Sequence, residues 1–480
     1  MNLRVLDQLG IRRLATDSRR VRRGDTFVAY SGEAQDGRSY IPQAIANGAR
    51  AVLWEKRGFK WRPIWRAPNL GIVNLRARAG IIASHVHDHP SARLWMVGVT
   101  GTNGKTTCSQ WIARALNETG LRSAVIGTLG YGLRGRLKTL ANTTPDAVWL
   151  HAQLADFERH GAQAVSMEVS SIGLDQDRTS GVQFDVALFT NLTRDHLEYH
   201  HTMRRYRAAK AQLFACDSLK YAIVNLDDEF GAALAKRIKR RGLKVIGYGF
   251  GRAGGMRVTG SNLIADARGV SFDVATPWGG ARVASPVLGR FNASNLLGTL
   301  AVLLASGVAL GQAVATLARL KPVPGRLQTI GGGARPVVVV DYAHTPDALE
   351  KVLVALRDLT TRRARLICVF GCGGERDRGK RPLMGRIAAQ LADWVVLTND
   401  NPRNEEPLTI IDDILTGMES AGELELDRRR AIRSAINKAR RGDVVLIAGK
   451  GHETYQEVKG VRRPFSDIEV ARAALRGWAA

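Results

Sequence analysis

Cysteine is scarce. Cys108, Cys216, Cys368 and Cys372 are the only four in 480 residues, and only the last two lie close together, four positions apart. No two take a zinc-ribbon spacing, and so few in so long a chain fit a reduced cytosolic protein. The amino terminus, MNLRVLDQLGIRRLATDSRR, lacks an apolar stretch of signal-peptide length ahead of its charges. Long hydrophobic runs are also missing, with one segment to weigh: residues 291–318 carry no charge. That segment contains Asn292, Asn295, Gly298, Thr299, Ser306, Gly307, Gly311 and Gln312. A spanning helix wants about 20 predominantly apolar residues, so two core helices broken near Ser306 and Gly307 are expected instead. Aromatics make up 6% of the chain and are not interleaved with the basic residues, which argues against a stacking surface for nucleic acid. Acidic residues are short as well: 44 Asp plus Glu stand against 70 Lys plus Arg, a formal charge of +26. Such a surface attracts polyanions, whether nucleic acid, anionic membrane or acidic small molecules.

What is present reads as a soluble globular protein. Apolar residues at 45% and charged residues at 24% exclude a disordered or fibrous chain. At about 150 residues per domain, three domains are expected. Residues 1–93 are Arg-rich, with 15 Arg and 2 Lys against 7 acids, and short β-like runs at 26–30 and 51–54 surround a helical pattern at 41–47. This reads as a small α/β domain. From Leu94 apolar runs of strand length alternate with 3.6-period segments: LWMVGVT, a helix over 106–117, SAVIGTL, QAVSMEV, DVALFTNL, YAIVNL and KVIGYGF. Runs this apolar predict a mostly parallel sheet buried on both faces, which binds ligands at the carboxyl ends of its strands. The joint KPVPG at 321–325 ends this domain (94–320), and a second doubly wound unit (321–480) follows with strands in PVVVVDYA, RLICVFG, WVVLTND and DVVLIAG.

The sequence VGVTGTNGKTT at 97–107 follows a strand and opens a helix. Gly101, Thr102, Asn103 and Gly104 can bring backbone N–H groups to phosphate oxygens, Lys105 can reach the terminal phosphates, and the Thr106 hydroxyl is placed for Mg²⁺, with Thr107 beside it. Strict P-loop spacing would put glycine at 99, where Val99 stands. Two polar clusters end neighbouring apolar strands: MEVSS with Glu168, and TNLTRDHLEYH with His196. A carboxylate and an imidazole at the same sheet edge could hold metal and phosphate.

At this point the chain resembles the Mur ligase family, ATP-dependent amide-forming enzymes of peptidoglycan precursor synthesis. The motifs TGTNGKTT, EVSS, TNLTRDHLEYH, RAAKAQLF, GRFNASNLL and DYAHTPDALEKVL stand in the family's order, and the resemblance runs from Asp17 to Glu453. It implies a three-domain architecture: a small UDP-sugar-binding domain, a central P-loop domain and a Rossmann-like amino-acid-binding domain. Within the family the chain is similar to the branch that adds the third peptide residue to UDP-N-acetylmuramoyl-L-alanyl-D-glutamate. There ATP phosphorylates the γ-carboxylate of D-glutamate, and an amine attacks the acyl phosphate. By this resemblance Lys105, Lys210 and His344 take catalytic positions. Glu168, His196, Thr106 and Lys210 take metal positions, Lys210 as a carbamate. Asn295, Arg326 and Asp341 lie on the ATP side, and Ser18, Thr143, Thr144, Ser170, Gln176 and Arg178 on the nucleotide-sugar side. ATP and Mg²⁺ are the implied cofactors. The chain is expected to be a cytoplasmic monomer acting on small molecules, with neither nucleic acid nor membrane as partner.

The motif DNPR, Asp400, Asn401, Pro402 and Arg403, marks family members that use meso-diaminopimelate rather than lysine. The physics agrees, because a guanidinium can grip the extra carboxylate with two parallel hydrogen bonds. Arg376, Gly449 and Glu453 match further positions around the amino acid, with Glu453 suited to the distal ammonium. Two departures stand out. Ile172 replaces the His of the usual EVSSH, and the loop at 32–37 differs from the common text. The triplet His85, His87 and His89 fits a helix end as well as a metal site.

Overall fold

A computed structural model describes residues 4–478 except 34, 134, 239–241, 252–256, 362 and 420–421. Ala34, within the divergent loop at 32–37, thus lies outside the described residues.

Three main sheets follow one another along the chain. The first has four strands, all parallel and in sequence order: Leu14–Ala15, Thr26–Ala29, Ala51–Glu55 and Asn69–Ile72. Its two faces are covered separately, one by Leu75, Ala79 and Ile82 of the helix Leu75–Val86, the other by Ile41 and Ala44 of the helix Ile41–Ala46. The helix Leu75–Val86 ends within the His85–His89 stretch: His85 meets Asp7 (2.8 Å) and His89 meets Ser84 (3.1 Å), as a helix end would have it.

The second sheet has ten strands. Its parallel centre runs Lys244–Gly249, Tyr221–Asn225, Val186–Phe189, Trp95–Thr100, Ala164–Glu168, Ser123–Gly127. Nearly every residue of these strands is buried, as their unbroken apolar text demands. The uncharged segment forms two helices, Arg290–Ala305 and Leu310–Leu317, with Leu296, Leu300 and Leu303 buried against this sheet. No helix among the described residues is long and apolar enough to cross a membrane. Two parts of the sheet escape the sequence reading: the strands Arg257–Asp266, Gly269–Thr276 and Gly279–Ser285, antiparallel to one another, extend it on one side, and Gly130–Leu133 pairs antiparallel with Ser123–Gly127 at the other edge.

The third sheet is ordered Gln328–Gly331, Val337–Asp341, Val444–Ala448, Leu366–Phe370, Trp394–Leu397, Glu423–Leu424, parallel except for its first strand. The helix Pro346–Leu359 follows the second of these, and its N-cap is Thr345, whose hydroxyl accepts from the Ala348 N–H (3.3 Å). Thr345→Ala is expected to cost about 1 kcal/mol of stability, seen as a lower denaturation midpoint in urea; an unchanged midpoint would show that the cap contributes nothing.

Candidate active site

Parallel strands deliver their carboxyl ends to one edge, and register decides which residues meet there. In the central sheet Val99 pairs with Glu168 and Thr100 with Phe189. The loop that leaves the strand at Thr100 is therefore flanked by Glu168 on one side and by the Thr190–Asn191 turn on the other. Thr190 Oγ1 donates to the Asn103 carbonyl (2.6 Å), and the Asn103 N–H donates to Asn191 Oδ1 (3.0 Å). Two glycines make the loop possible. Gly104 has φ +87°, and a Cβ there would lie 2.6 Å from Asn295 Oδ1; at Gly101, φ +153°, it would lie 1.9 Å from Thr190 Oγ1. Asn295 is thereby set directly against the loop, which opens the helix Lys105–Glu118.

Glu168 is fully buried. Its carboxylate accepts from the Thr106 hydroxyl (2.9 Å), the Thr128 N–H (2.7 Å) and the Thr128 hydroxyl (3.1 Å), and Thr128 in turn touches Thr143 (3.1 Å). Lys105 folds back, donating to the carbonyls of Gly101 and Thr102 (both 2.8 Å). Lys210 is not the solvated helix lysine that its neighbours Arg204, Arg205 and Arg207 suggest. It is 1% exposed, lies over the Tyr206 ring at 4.3 Å, and donates to the same Gly101 carbonyl at 2.8 Å. Burial, and then the charge of Lys105, hold its pKa well below that of an ordinary lysine; burial lowers that of Lys105 too.

The carboxyl edge of the third sheet faces this loop. Asp341, buried at a strand end, uses both carboxylate oxygens on the backbone N–H groups of Leu327 and Ala343 (2.7 Å each). Burial raises its pKa, opposed by Arg326. Arg326 packs over the Tyr342 ring (4.3 Å) and donates to the Thr106 hydroxyl (3.2 Å), so it bridges the third sheet to the phosphate loop. Asn103 reaches Asp347 (2.8 Å), and Arg194 makes a two-pronged pair with Asp377 (2.7 and 2.9 Å).

Asp195 is the hub of this junction and was not singled out from sequence. It is buried, with His196 at 3.3 Å, His344 at 3.7 Å and Lys380 at 3.8 Å. Burial would raise its pKa, but His196, Lys380 and His344 outweigh burial and hold the carboxyl well below the usual range. His344 also bonds the Tyr342 carbonyl through Nδ1 (2.7 Å), and the other ring nitrogen of His196 faces Glu198 (3.7 Å).

The DNPR segment follows the strand Trp394–Leu397, beside Gly371–Gly374 after Leu366–Phe370. Asp400, Asn401 and Pro402 are buried and Arg403 half-buried. Arg403 takes φ +52°, and its backbone is pinned to the hairpin Tyr455–Pro464 by its N–H to the Glu457 carbonyl (3.1 Å) and by the Lys459 N–H to its own carbonyl (2.6 Å). Its Nη1 donates to the Gly374 carbonyl (2.6 Å). Gly449, φ +113°, leaves room for Asp400, whose Oδ2 would lie 2.4 Å from a Cβ there. Lys450 is a second residue missed from sequence. Fully buried, it donates to Asn401 Oδ1 (2.9 Å) and Glu453 Oε2 (2.8 Å), and Asn401 also donates to that Oε2 (2.9 Å). Glu453 is thus already partly neutralised by an ammonium of the chain. Arg376 is exposed.

On the other flank Thr144, fully buried, donates to the Glu168 carbonyl (3.0 Å) and bonds Ser170 Oγ (3.1 Å), which caps the helix Ser171–Asp175. Arg178 donates to the Thr144 carbonyl (2.9 Å) and to Gln176 Oε1 (3.0 and 2.6 Å).

One cavity of about 1700 Å³ joins these parts. Its walls include the phosphate-loop residues Thr102–Thr107, Thr143, Thr144, Glu168, Ser170, Arg178, His196, Asn295, Arg326, Asp341, His344, Arg376, Asp400, Asn401, Arg403, Gly449 and Glu453, with Ile172 in the place of the family imidazole. Five expected residues do not line it. Gly101 and Lys210 lie beneath the loop, Pro402 is buried behind Arg403, Gln176 holds Arg178, and Ser18 sits in the first sheet's region, bonded to Gln43 (2.6 Å).

The oxygen-rich floor formed by Thr106 and Glu168 suits a hard cation that also takes phosphate oxygens. Among the described residues no group of three His, Cys, Asp or Glu is arranged so that those side chains alone could hold a metal ion.

Comparisons with known proteins bear on the whole chain. Residues 10–87 match the "Mur ligase family, catalytic domain", residues 99–303 the "Mur ligase middle domain", and residues 325–451 the "Mur ligase, glutamate ligase domain". A UDP-N-acetylmuramoyl-L-alanyl-D-glutamate–2,6-diaminopimelate ligase of Chromobacterium violaceum is 52% identical over 478 residues, spanning 99% of this chain and 96% of the relative. A solved structure of a ligase of the same name is 38% identical and superposes with TM-score 0.70 over 97% of this chain and 95% of its own. MurF ligase from Thermotoga maritima, solved with ADP, shares the fold at 20% identity and TM-score 0.67, covering 98% of both chains. The three domain matches follow the three sheets along the chain, the full-length identity leaves no sheet unaccounted for, and the chain belongs to the Mur ligase family.

Proposed function

We propose that this chain joins meso-diaminopimelate to the D-glutamate γ-carboxylate of UDP-N-acetylmuramoyl-L-alanyl-D-glutamate, using ATP and releasing ADP and phosphate. The observation that carries the reading is the shared cavity, in which the phosphate loop and Arg403 open on the same space. The relatives' names agree with it.

In this reading the γ-carboxylate oxygen takes the terminal phosphoryl group, and the resulting acyl phosphate is attacked by the amine, with phosphate as leaving group. Both steps concentrate negative charge, so fixed donors carry much of the acceleration. Loop N–H groups, Lys105 and Arg326 would hold the phosphates, with Asn295 and Asp341 positioning the nucleotide side. Thr106 and Glu168 would hold Mg²⁺, with His196 and a carbamylated Lys210 at a second position; the ion would neutralise phosphate charge. His344, held by Asp195, stands where it can meet the transferring phosphoryl group. Thr143, Thr144, Ser170 and Arg178 would receive the peptide and pyrophosphate arm, and Ser18 the uridine end. Arg403, Arg376, Asp400, Asn401, Gly449 and Glu453 would enclose the amino acid. The domains would divide near 93 and 320, between the three sheets, and the protein would work in the cytoplasm.

A folylpolyglutamate synthase would share the phosphate loop, but it would lack the DNPR arm and the Ser18 domain. The test is ADP release measured with each substrate omitted in turn. ATP turnover is expected only when both the UDP-linked dipeptide and diaminopimelate are present, with lysine a far poorer acceptor at matched concentration. Equal use of lysine overturns the assignment of the amino acid; turnover without the dipeptide overturns the ligase reading.

A further inference from the structure

The basic surplus of the first domain has one organised centre. The expectation that aromatics are not interleaved with the basic residues fails at one place: residues 56–66, KRGFKWRPIWR, hold five cations, three aromatics and no acid. This segment connects the parallel strands Ala51–Glu55 and Asn69–Ile72, and none of it lines the central cavity. Lys56, Arg57, Lys60, Arg62 and Arg66 are all exposed. The acid next to them, Glu55, is turned away to the backbone N–H groups of Arg57, Asn74 and Leu75 (2.7–3.2 Å).

The aromatics form a platform. Phe59 stacks on Trp65 (6.1 Å, 20°), Trp61 meets Trp65 edge-on (5.1 Å), and Trp54 anchors Phe59 and Trp61 (5.9 Å each) above the core with Phe27, Ile41 and Val52. Arg38 lies over Phe59 (4.9 Å) and Arg62 over Trp65 (5.5 Å). At the tip, after Pro63, Ile64 is 80% exposed, the most exposed large hydrophobic side chain among the described residues.

We propose that this platform docks the protein peripherally on an anionic lipid bilayer, with Ile64 entering the headgroup layer and the five cations meeting lipid phosphates. Indole rings and an apolar tip among exposed cations suit that interface. Single-stranded nucleic acid fits less well, because base stacking needs open ring faces and here Phe59 and Trp65 cover each other and carry Arg38 and Arg62.

Co-sedimentation of the full-length protein with phosphatidylglycerol–phosphatidylethanolamine vesicles, against pure phosphatidylcholine vesicles, tests this. Binding is expected to the anionic vesicles alone and to weaken with salt. Neutralising Lys60 and Arg62 to Gln together should lower partitioning about 25-fold, at about fivefold per cation near a charged bilayer. Ile64→Ser should lower it about tenfold. Both variants should keep ATP-dependent ligation with soluble substrates, which also certifies their folding. No binding by the unaltered protein overturns the proposal. So does binding to polyuridylate in place of vesicles, or a KM for the UDP-linked dipeptide that rises in step with the substitutions.

Discussion

Arg403→Ala is expected to raise the KM for meso-diaminopimelate by about 30-fold to a few thousandfold, with a smaller change in the KM for ATP. Truncating one partner of a desolvated charge pair costs about 2–5 kcal/mol, and the geometry supports desolvation here: Arg403 is half-buried, its backbone is tied to the hairpin Tyr455–Pro464, and Nη1 is fixed on the Gly374 carbonyl. That bond leaves Nε and Nη2, the fork that matches a carboxylate, without a protein acceptor among the described residues. Arg403→Lys keeps the charge but not the fork, so it should recover only part of the loss. Lysine as acceptor has no distal carboxylate, so its poor use should change little in Arg403→Ala, and the preference between the two amino acids should collapse. Steady-state kinetics with both acceptors decides it. A preference that survives the substitution would show that another group, such as exposed Arg376, reads the carboxylate.

The parts of this site that lie on contiguous text were legible before the fold was seen. The phosphate loop, its strand and its helix occupy a single stretch from Val97, and the DNPR segment announces a guanidinium beside a strand end. What stayed hidden depends on contacts between distant segments. Asp195 sits within TRDHLEYH, where any acid beside His196 reads as local polarity; only the packing of the third sheet against the second brings His344 and Lys380 to it, 149 and 185 positions along. Lys450 looks like one more cation in GKGHE until Asn401 closes on it. The strands from Arg257 to Ser285 went unread for another reason: most of their residues are half-exposed or exposed, no apolar run marks them, and only Gly269–Thr276 alternates, with Val270, Phe272 and Val274 buried between Ser271, Asp273 and Ala275. The same holds for Val461–Pro464, exposed at every position. In Arg204-to-Lys210 the arginines suggested water, whereas Tyr206 and Lys210, four residues apart on one helix face, both turn inward.

That inward turn makes Lys210→Ala the second large effect, with an expected loss in kcat on the order of 10²–10³, the range seen when a fixed electrostatic group is removed from a catalytic site. Two side-chain amines, Lys105 and Lys210, donate to the single carbonyl of Gly101, and neither has a carboxylate in hydrogen-bond contact among the described residues. Two ammoniums so placed repel each other, and burial of an unpaired charge is costly. A neutral Lys210 amine relieves both, and it is also the form that adds CO₂ at nitrogen, losing a proton to give a carbamate. The new anion would attract Lys105 and offer two oxygens to a hard cation at the phosphate loop. Lys210→Arg, always charged, should therefore fail as completely as Lys210→Ala. Formate or acetate, which could enter the space vacated in Lys210→Ala and restore a carboxylate, should recover part of kcat in Lys210→Ala and none in Lys210→Arg. Mass spectrometry under native conditions should show the unaltered protein heavier by one CO₂, and removal of dissolved CO₂ should lower its turnover until bicarbonate is returned. If Lys210→Ala turned over within about threefold of the unaltered protein, less than 1 kcal/mol in the barrier, the buried amine would be a packing group beneath the loop and the carbamate reading would fall.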